Sequence, residues 1–339
     1  MIFKFLINCL FLLSIIGANA QTLDNNKKKL NLEMNFNMIQ PSYLQDGDIV
    51  AIIAPAGVLK QTNEVIQKTK TVLENWGLKV VFGENIKKKL YHFAGSDKER
   101  VNDFQWALDN PEIKAIWCAR GGYGSLRIID KLNFEDFKKN PKWIVGYSDI
   151  TVVHEKLHKL GYQSIHGMMC INLVDDPKSI KLSLETLKSA LFGELEGYDI
   201  EGNYYNKAGK AHGQLIGGNL TLIASTLGSK TSVNTKGKII FIEEIGEYKY
   251  HIDRQLQSLK RAGYFDQCSG IIIGNISKLK INDPLWGQSV EELISDILKD
   301  TNFPIAFGFP AGHENENRAL YLGRQIKLNI TKNKTKIIF

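Results

Sequence analysis

The chain has 339 residues, 43% of them hydrophobic and 23% charged, which excludes a disordered polymer and leaves a globular protein with room for two domains. Lysine and arginine outnumber aspartate and glutamate 43 to 36, for a formal charge of +7, but the lysines are scattered and form no aromatic-interleaved basic groove, so nucleic acid is not an expected partner. The cysteines, Cys9, Cys118, Cys170 and Cys268, are too scattered for a disulfide framework or a spaced metal site; the last three are expected to be buried free thiols, with no metal or other cofactor.

In chain order, residues 1–20 (MIFKFLINCLFLLSIIGANA) carry a lysine, an apolar run and the small-residue pattern of Ala18 and Ala20, the form of a secretory signal peptide. No later stretch approaches 18 consecutive apolar residues, so an exported, periplasmic protein with no stable membrane insertion is expected. Residues 21–40 are polar and weakly patterned, as in a flexible lead-in.

From residue 41 to about 175, short β-branched runs alternate with helical patterns. IVAIIAP is followed by a helix over residues 63–76, then LKVVFG, then a helix opening with the capping box of Ser96 and Glu99. IKAIWCA leads into a glycine loop, a helix near residues 125–131, the strand WIVGY and the helical DITVVHEKLHKL. This is the rhythm of a parallel, flavodoxin- or Rossmann-like sheet wrapped by helices.

Residues 176–210 combine an amphipathic helix with turn-rich short strands and form the expected interdomain crossing. Residues 211–339 hold the strand KGKIIFIEE, a helix with Ile252, Leu256 and Leu259 on one face, and the strand SGIIIGNI. They end in the alternating strands RQIKLNI and TKIIF, which predict a smaller mixed α+β domain with antiparallel strands.

A nucleophilic serine needs a base, a group that orients the base, and backbone donors for an oxyanion. Ser148 follows a strand and precedes a helix, in a Gly-Tyr-Ser-Asp-Ile pattern that resembles a nucleophile elbow without its second glycine. A plain helix cap accounts for it equally well. Among the histidines, His154 and His158 fall one helical turn apart without further ligands for a metal; His166, in SIHG, is a candidate cleft residue; His313 ends a strand-and-loop segment, FPAGH. The orienting carboxylate is one of Glu243, Glu244 and Glu247. The loop from Ala119 to Gly124 offers close backbone approach, and Arg120 or Arg127 offers a cation for a substrate carboxylate.

The segments IIAPAG, ARGGYGSLRII, WIVGYSDIT, SIHG, GGNLTLIASTLGS, FIEEIGEYKYHIDRQL and FGFPAGHENEN together resemble, in order, the L,D-carboxypeptidase (muramoyltetrapeptide carboxypeptidase) family. The resemblance implies a metal-free serine peptidase, commonly a homodimer, that removes the terminal D-alanine of murein tetrapeptide. It places a triad on Ser148 in the first domain and on Glu243 and His313 in the second, with the Asp149 and Gly122 amides as oxyanion donors. Arg120 and His166 remain substrate-binding candidates. Two alternatives stand beside this reading: a hydrolase of another amide or acyl substrate, as in the related microcin C immunity hydrolases, and a non-catalytic wall-binding protein.

Overall fold

The computed structural model describes residues 38–339. The expected signal peptide and nearly all of the expected lead-in lie outside the described residues. At the end of that lead-in, Ile39 is not free: its amide donates to the Gly161 carbonyl at 2.7 Å and its own carbonyl accepts from Gln163 at 2.9 Å. Among the described residues no helix is long and apolar enough to cross a membrane.

The first half alternates strand and helix as its periodicity predicts: β1 (Ile49–Ile53), α1 (Thr62–Asn75), β2 (Lys79–Phe82), α2 (Asp97–Asp109), β3 (Ile113–Cys118), α3 (Glu135–Lys139), β4 (Trp143–Gly146), α4 (Thr151–Leu160) and β5 (Ser164–His166). Ser96 and Glu99 form the capping box that starts α2. The helix expected near residues 125–131 is instead two short 3-10 turns, Ser125–Arg127 and Ile129–Lys131, each without a side-chain cap.

The chain then runs through α5 (Lys181–Phe192), β6 (Gly197–Glu201), β7 (Gly209–Asn219), α6 (Leu220–Ser225), β8 (Ile239–Ile245), α7 (Lys249–Arg261), β9 (Gly270–Ser277) and α8 (Val290–Ile297). It ends with β10 (Ile305–Ala306), β11 (Leu320–Leu322), β12 (Gln325–Ile330) and β13 (Lys334–Ile338).

The first sheet has the order β11-β5-β4-β3-β1-β2, and β1 to β5 are parallel. Alternate residues of a strand face opposite sides. Val50, Ile52, Trp117 and Val145 therefore enter one core, while Ala51, Ile53, Ile116 and Ile144 enter the other. Strands covered on both faces read as continuous apolar runs, as these do.

The second sheet has the order β10-β9-β8-β7-β12-β13-β6, parallel from β10 to β7 and antiparallel from β7 to β6. Ile252, Leu256 and Leu259 of α7 are buried against it, as expected. The division between halves is not clean in sequence. Strand β11 pairs antiparallel with β5 and so adds residues 320–322 to the first sheet.

Candidate active site

The chain leaves β1 toward β2 on one side and reaches β3 on the other, so the first sheet has its switch point between β1 and β3. Crevices outside the carboxyl ends of such strands are where open α/β sheets receive ligands. Here the loops after β1 and β3 meet backbone to backbone, the Gly57 amide donating to the Gly121 carbonyl at 2.9 Å. A Cβ on Gly57 would come within 2.9 Å of that oxygen, so only glycine permits the approach.

Ser148 follows β4 at φ +60°, a left-handed conformation rare for a residue with a side chain. A favoured helix N-cap is extended instead. Neither the 3-10 turn Ser148–Ile150 nor α4 has a side-chain cap, so the capping reading of Ser148 falls away. The turn is tight because Ile150 folds back over Gly146, where a Cβ would lie 2.7 Å from its Cγ1.

The glycine loop lies against this turn. A Cβ on Gly121 would be 3.3 Å from both the Asp149 amide nitrogen and Ser148 Cβ, and Gly122 has φ +98°. Asp149 ties the two segments together: its buried carboxylate accepts from the Ser125 amide at 2.8 Å. Burial raises the pKa of that carboxyl.

Glu243 and Glu244 would face opposite sides of a regular strand. The β8–β9 register instead slips between Ile242 and Glu244, and a bulge of this kind re-aims side chains. Both glutamates are buried. Glu244 is consumed by structure: it accepts from Asn219 Nδ2 at 2.9 Å, the Thr221 amide at 2.8 Å and the Ile245 amide at 2.8 Å. Glu243 points the other way, its Oε2 lying 2.7 Å from His313 Nδ1. Glu247 pairs with His251.

An ionised carboxylate only accepts, so Nδ1 carries the proton and Nε2 is left as a lone-pair site. Burial lowers the pKa of His313, but the charge and hydrogen bond of Glu243 outweigh it and hold the value above the ordinary one. The His313 loop is fixed by Asn317, whose side chain accepts from the Gly312 amide at 3.1 Å and whose own amide donates to Ser183 Oγ at 2.7 Å. The ring of Tyr147, the residue before Ser148, stands edge-on to His313 with centroids 4.9 Å apart.

Other expected site residues have different surroundings. His166 is wholly buried between the rings of Tyr147 and Phe241, so it supports the site from behind and presents no surface to a substrate. The Arg120 guanidinium is held by the Val58 carbonyl. Arg127 pairs with Asp97 at 2.9 Å and lies over Phe93. His154 spends both ring nitrogens on Ser164 Oγ and the Gly146 carbonyl, at 2.8 and 2.9 Å. Cys118, Cys170 and Cys268 are buried free thiols.

Thr151 and Asn219 lie outside the set of residues expected from the sequence. The Asn219 amide donates to Thr151 Oγ1 at 2.9 Å, and Asn219 stands in register with Glu243. Their signals were present in SDIT and in the Asn that caps LTLIAS, but only as local caps.

A serine in a left-handed turn at the carboxyl end of a parallel sheet and, against the ring of the preceding Tyr147, a histidine bonded to a buried carboxylate are the residue types that hydrolases of the acyl-transfer class combine. The chain belongs to the LD-carboxypeptidase family: the family's N-terminal domain matches residues 50–167 and its C-terminal domain residues 212–328. It is similar to the probable murein peptide carboxypeptidase of Bacillus subtilis, 35% identical over 306 residues that cover 88% of this chain and 94% of that one. The muramoyltetrapeptide carboxypeptidase of Oxalobacter formigenes superposes with a TM-score of 0.76 at 27% identity, covering 85% of this chain and 97% of its own. The microcin C7 self immunity protein MccF, solved with aspartyl sulfamoyl adenosine, shares the fold with a TM-score of 0.80 at 21% identity, over 89% of this chain and 98% of its own. The protein is a carboxypeptidase by family.

Proposed function

We propose that the protein is a serine carboxypeptidase that hydrolyses the L,D-peptide bond before the terminal D-alanine of a murein tetrapeptide. The observation that carries the reading is the 2.7 Å bond between His313 Nδ1 and Glu243 Oε2, set beside a serine at φ +60°. Relatives named for murein peptides supply the substrate class.

In the mechanism, His313 Nε2 takes the Ser148 proton and Ser148 Oγ bonds to the carbonyl carbon before D-alanine. The Asp149 and Gly122 amides receive the oxyanion, in the place where the glycine loop abuts the serine turn. Glu243 stabilises the imidazolium that results. The imidazolium then protonates the departing D-alanine amine as the C–N bond breaks. Water, deprotonated by His313, hydrolyses the acyl-enzyme and restores Ser148.

The reading extends to an exported, periplasmic homodimer, from the signal-peptide pattern of residues 1–20 and the family resemblance. Fractionation of cells and sedimentation of the mature protein test those two points. The catalytic reading is tested by mass spectrometry of a murein tetrapeptide, and of a pentapeptide ending in a D,D bond, incubated with the mature protein and with Ser148→Ala. Loss of one alanine from the tetrapeptide alone, abolished in the variant, is the expected result. Undiminished loss in Ser148→Ala would overturn the mechanism, and loss from the pentapeptide would overturn the bond assignment.

A further inference from the structure

A carboxypeptidase has to recognise the free carboxylate at the end of its substrate, which calls for a cation at the right distance from the scissile bond. The arginines around the glycine loop are already engaged. Arg120 holds the Val58 carbonyl, Arg127 pairs with Asp97, and Arg100 is buried on the Pro55 and Gly124 carbonyls.

The chemistry directs attention to the other side. His313 must come within hydrogen-bond reach of the departing nitrogen to protonate it, about 2.6–3.2 Å. The terminal carboxylate is separated from that nitrogen by a single carbon. It therefore lies beside His313, and its cation belongs on an element packed against the His313 loop.

Strand β9, the neighbour of the strand that carries Glu243, packs against that loop. The Asn275 amide donates to the Ala311 carbonyl at 2.8 Å, and a Cβ on Gly312 would lie 3.2 Å from Asn275 Cβ and 3.1 Å from Glu243 Oε2. Where β9 ends, Lys278 turns the chain at φ +49°. Left-handed conformations of this kind at non-glycine residues cluster at functional sites.

Between the end of β9 and the His313 loop is a cleft of about 420 Å³, whose lining includes Asn275, Ser277, Lys278, Gly308 and Glu314. Lys278 is the only cation among its lining residues. It is exposed, and among the described residues its side chain makes no hydrogen bond or ion pair. Glu291 and Glu314 line the same cleft, and like charge disfavours an anionic terminus beside either of them. The lysine's charge also reaches His313, where it opposes protonation.

We propose that Lys278 is the specificity-determining residue that receives the terminal carboxylate of the substrate. The assignment rests on the carboxypeptidase reading above. It is tested by kcat/KM for a murein tetrapeptide and for the same peptide with its C-terminus amidated, in the wild type, Lys278→Met and Lys278→Arg. The wild type is expected to favour the free acid. Lys278→Met should lower kcat/KM on the acid by about 10- to 100-fold, mostly through KM, leave the amide unchanged and so erase the preference, while Lys278→Arg keeps most of it. An acid-to-amide ratio unchanged in Lys278→Met would overturn the assignment and leave the carboxypeptidase reading standing. A wild type that cleaves neither peptide, releasing no alanine from the acid and no alaninamide from the amide, would overturn that reading, and this assignment with it.

Discussion

Thr151 Oγ1 accepts the backbone amide of Asn219 at 2.9 Å, joining the helix that follows Ser148 to the residue registered against Glu243. Gly218, at φ +143°, makes the approach possible: a Cβ there would lie 2.4 Å from the same hydroxyl. The bond ties the serine turn to β7, the strand paired with the one that carries Glu243. Thr151→Val keeps the shape but leaves a buried amide unpaired, at a cost of about 1–3 kcal/mol in stability. Denaturant unfolding should show that loss. Turnover should fall with KM little changed, since the geometry between residues is disturbed and not the binding surface.

Asp149 performs the corresponding task on the glycine side, where its carboxylate holds the Ser125 amide. In Asp149→Ala the loop bearing Gly122 loses that anchor while the main-chain amide of residue 149 remains. A fall in kcat of about 10²-fold, the size of losing one oxyanion donor, is expected from steady-state kinetics. Asp149→Asn, which retains an accepting oxygen, should recover most of it.

In the proposed mechanism the pH dependence of the reaction follows from His313. Its pKa is held above the ordinary 6.5 by Glu243 against the opposing effect of burial. The base form is therefore lost as pH falls through a value above 6.5, and kcat/KM should decline on that acid limb. Glu243→Gln removes that carboxylate charge and leaves only the smaller effect of Glu244 to oppose burial. The limb should move to lower pH, and kcat should drop by about 10⁴-fold, the loss seen when the orienting aspartate of the serine-protease triad is made an amide.

Stability should depend on pH through Glu155 of α4, which is 3% exposed and whose Oε2 lacks a hydrogen-bond partner. Burial raises its pKa from 4.5 to about 8. Between those values the folded state keeps a proton that the unfolded state has released, so stability decreases with rising pH by up to about 1.4 kcal/mol per unit, then levels above pH 8. Glu155→Gln should remove this contribution. Its unfolding free energy should exceed that of the wild type at pH 9 and converge with it below pH 4.5.

The acid side carries the opposite sign. Burial lowers the pKa of His154 from 6.5 to about 4 and that of His158 from 6.5 to about 3. Their contribution is complete above pH 6.5 and is lost as pH falls toward the folded values, because the unfolded chain gains the protons first. Thermal unfolding between pH 7 and 4 should show a steep fall in Tm, shallower in His158→Phe.

The sequence by itself determined the alternation that makes the first sheet parallel, the capping box that opens α2, the antiparallel close of β12 and β13, and a short set of candidate residues. These features are local: periodicity, turn chemistry and caps act within a few residues and survive without knowledge of the partner strands. The tertiary structure decided what depends on contacts between distant segments. A slip in the β8–β9 register, invisible in FIEE, buries both glutamates and gives His313 to Glu243 while Glu244 secures Asn219 and Thr221. The pairing of β11 with β5 carries residues 320–322 into the first sheet, and close packing turns His166 from a cleft residue into a buried support. Lys278 had no local mark at all, since a lysine in a turn is ordinary until β9 is packed against the His313 loop.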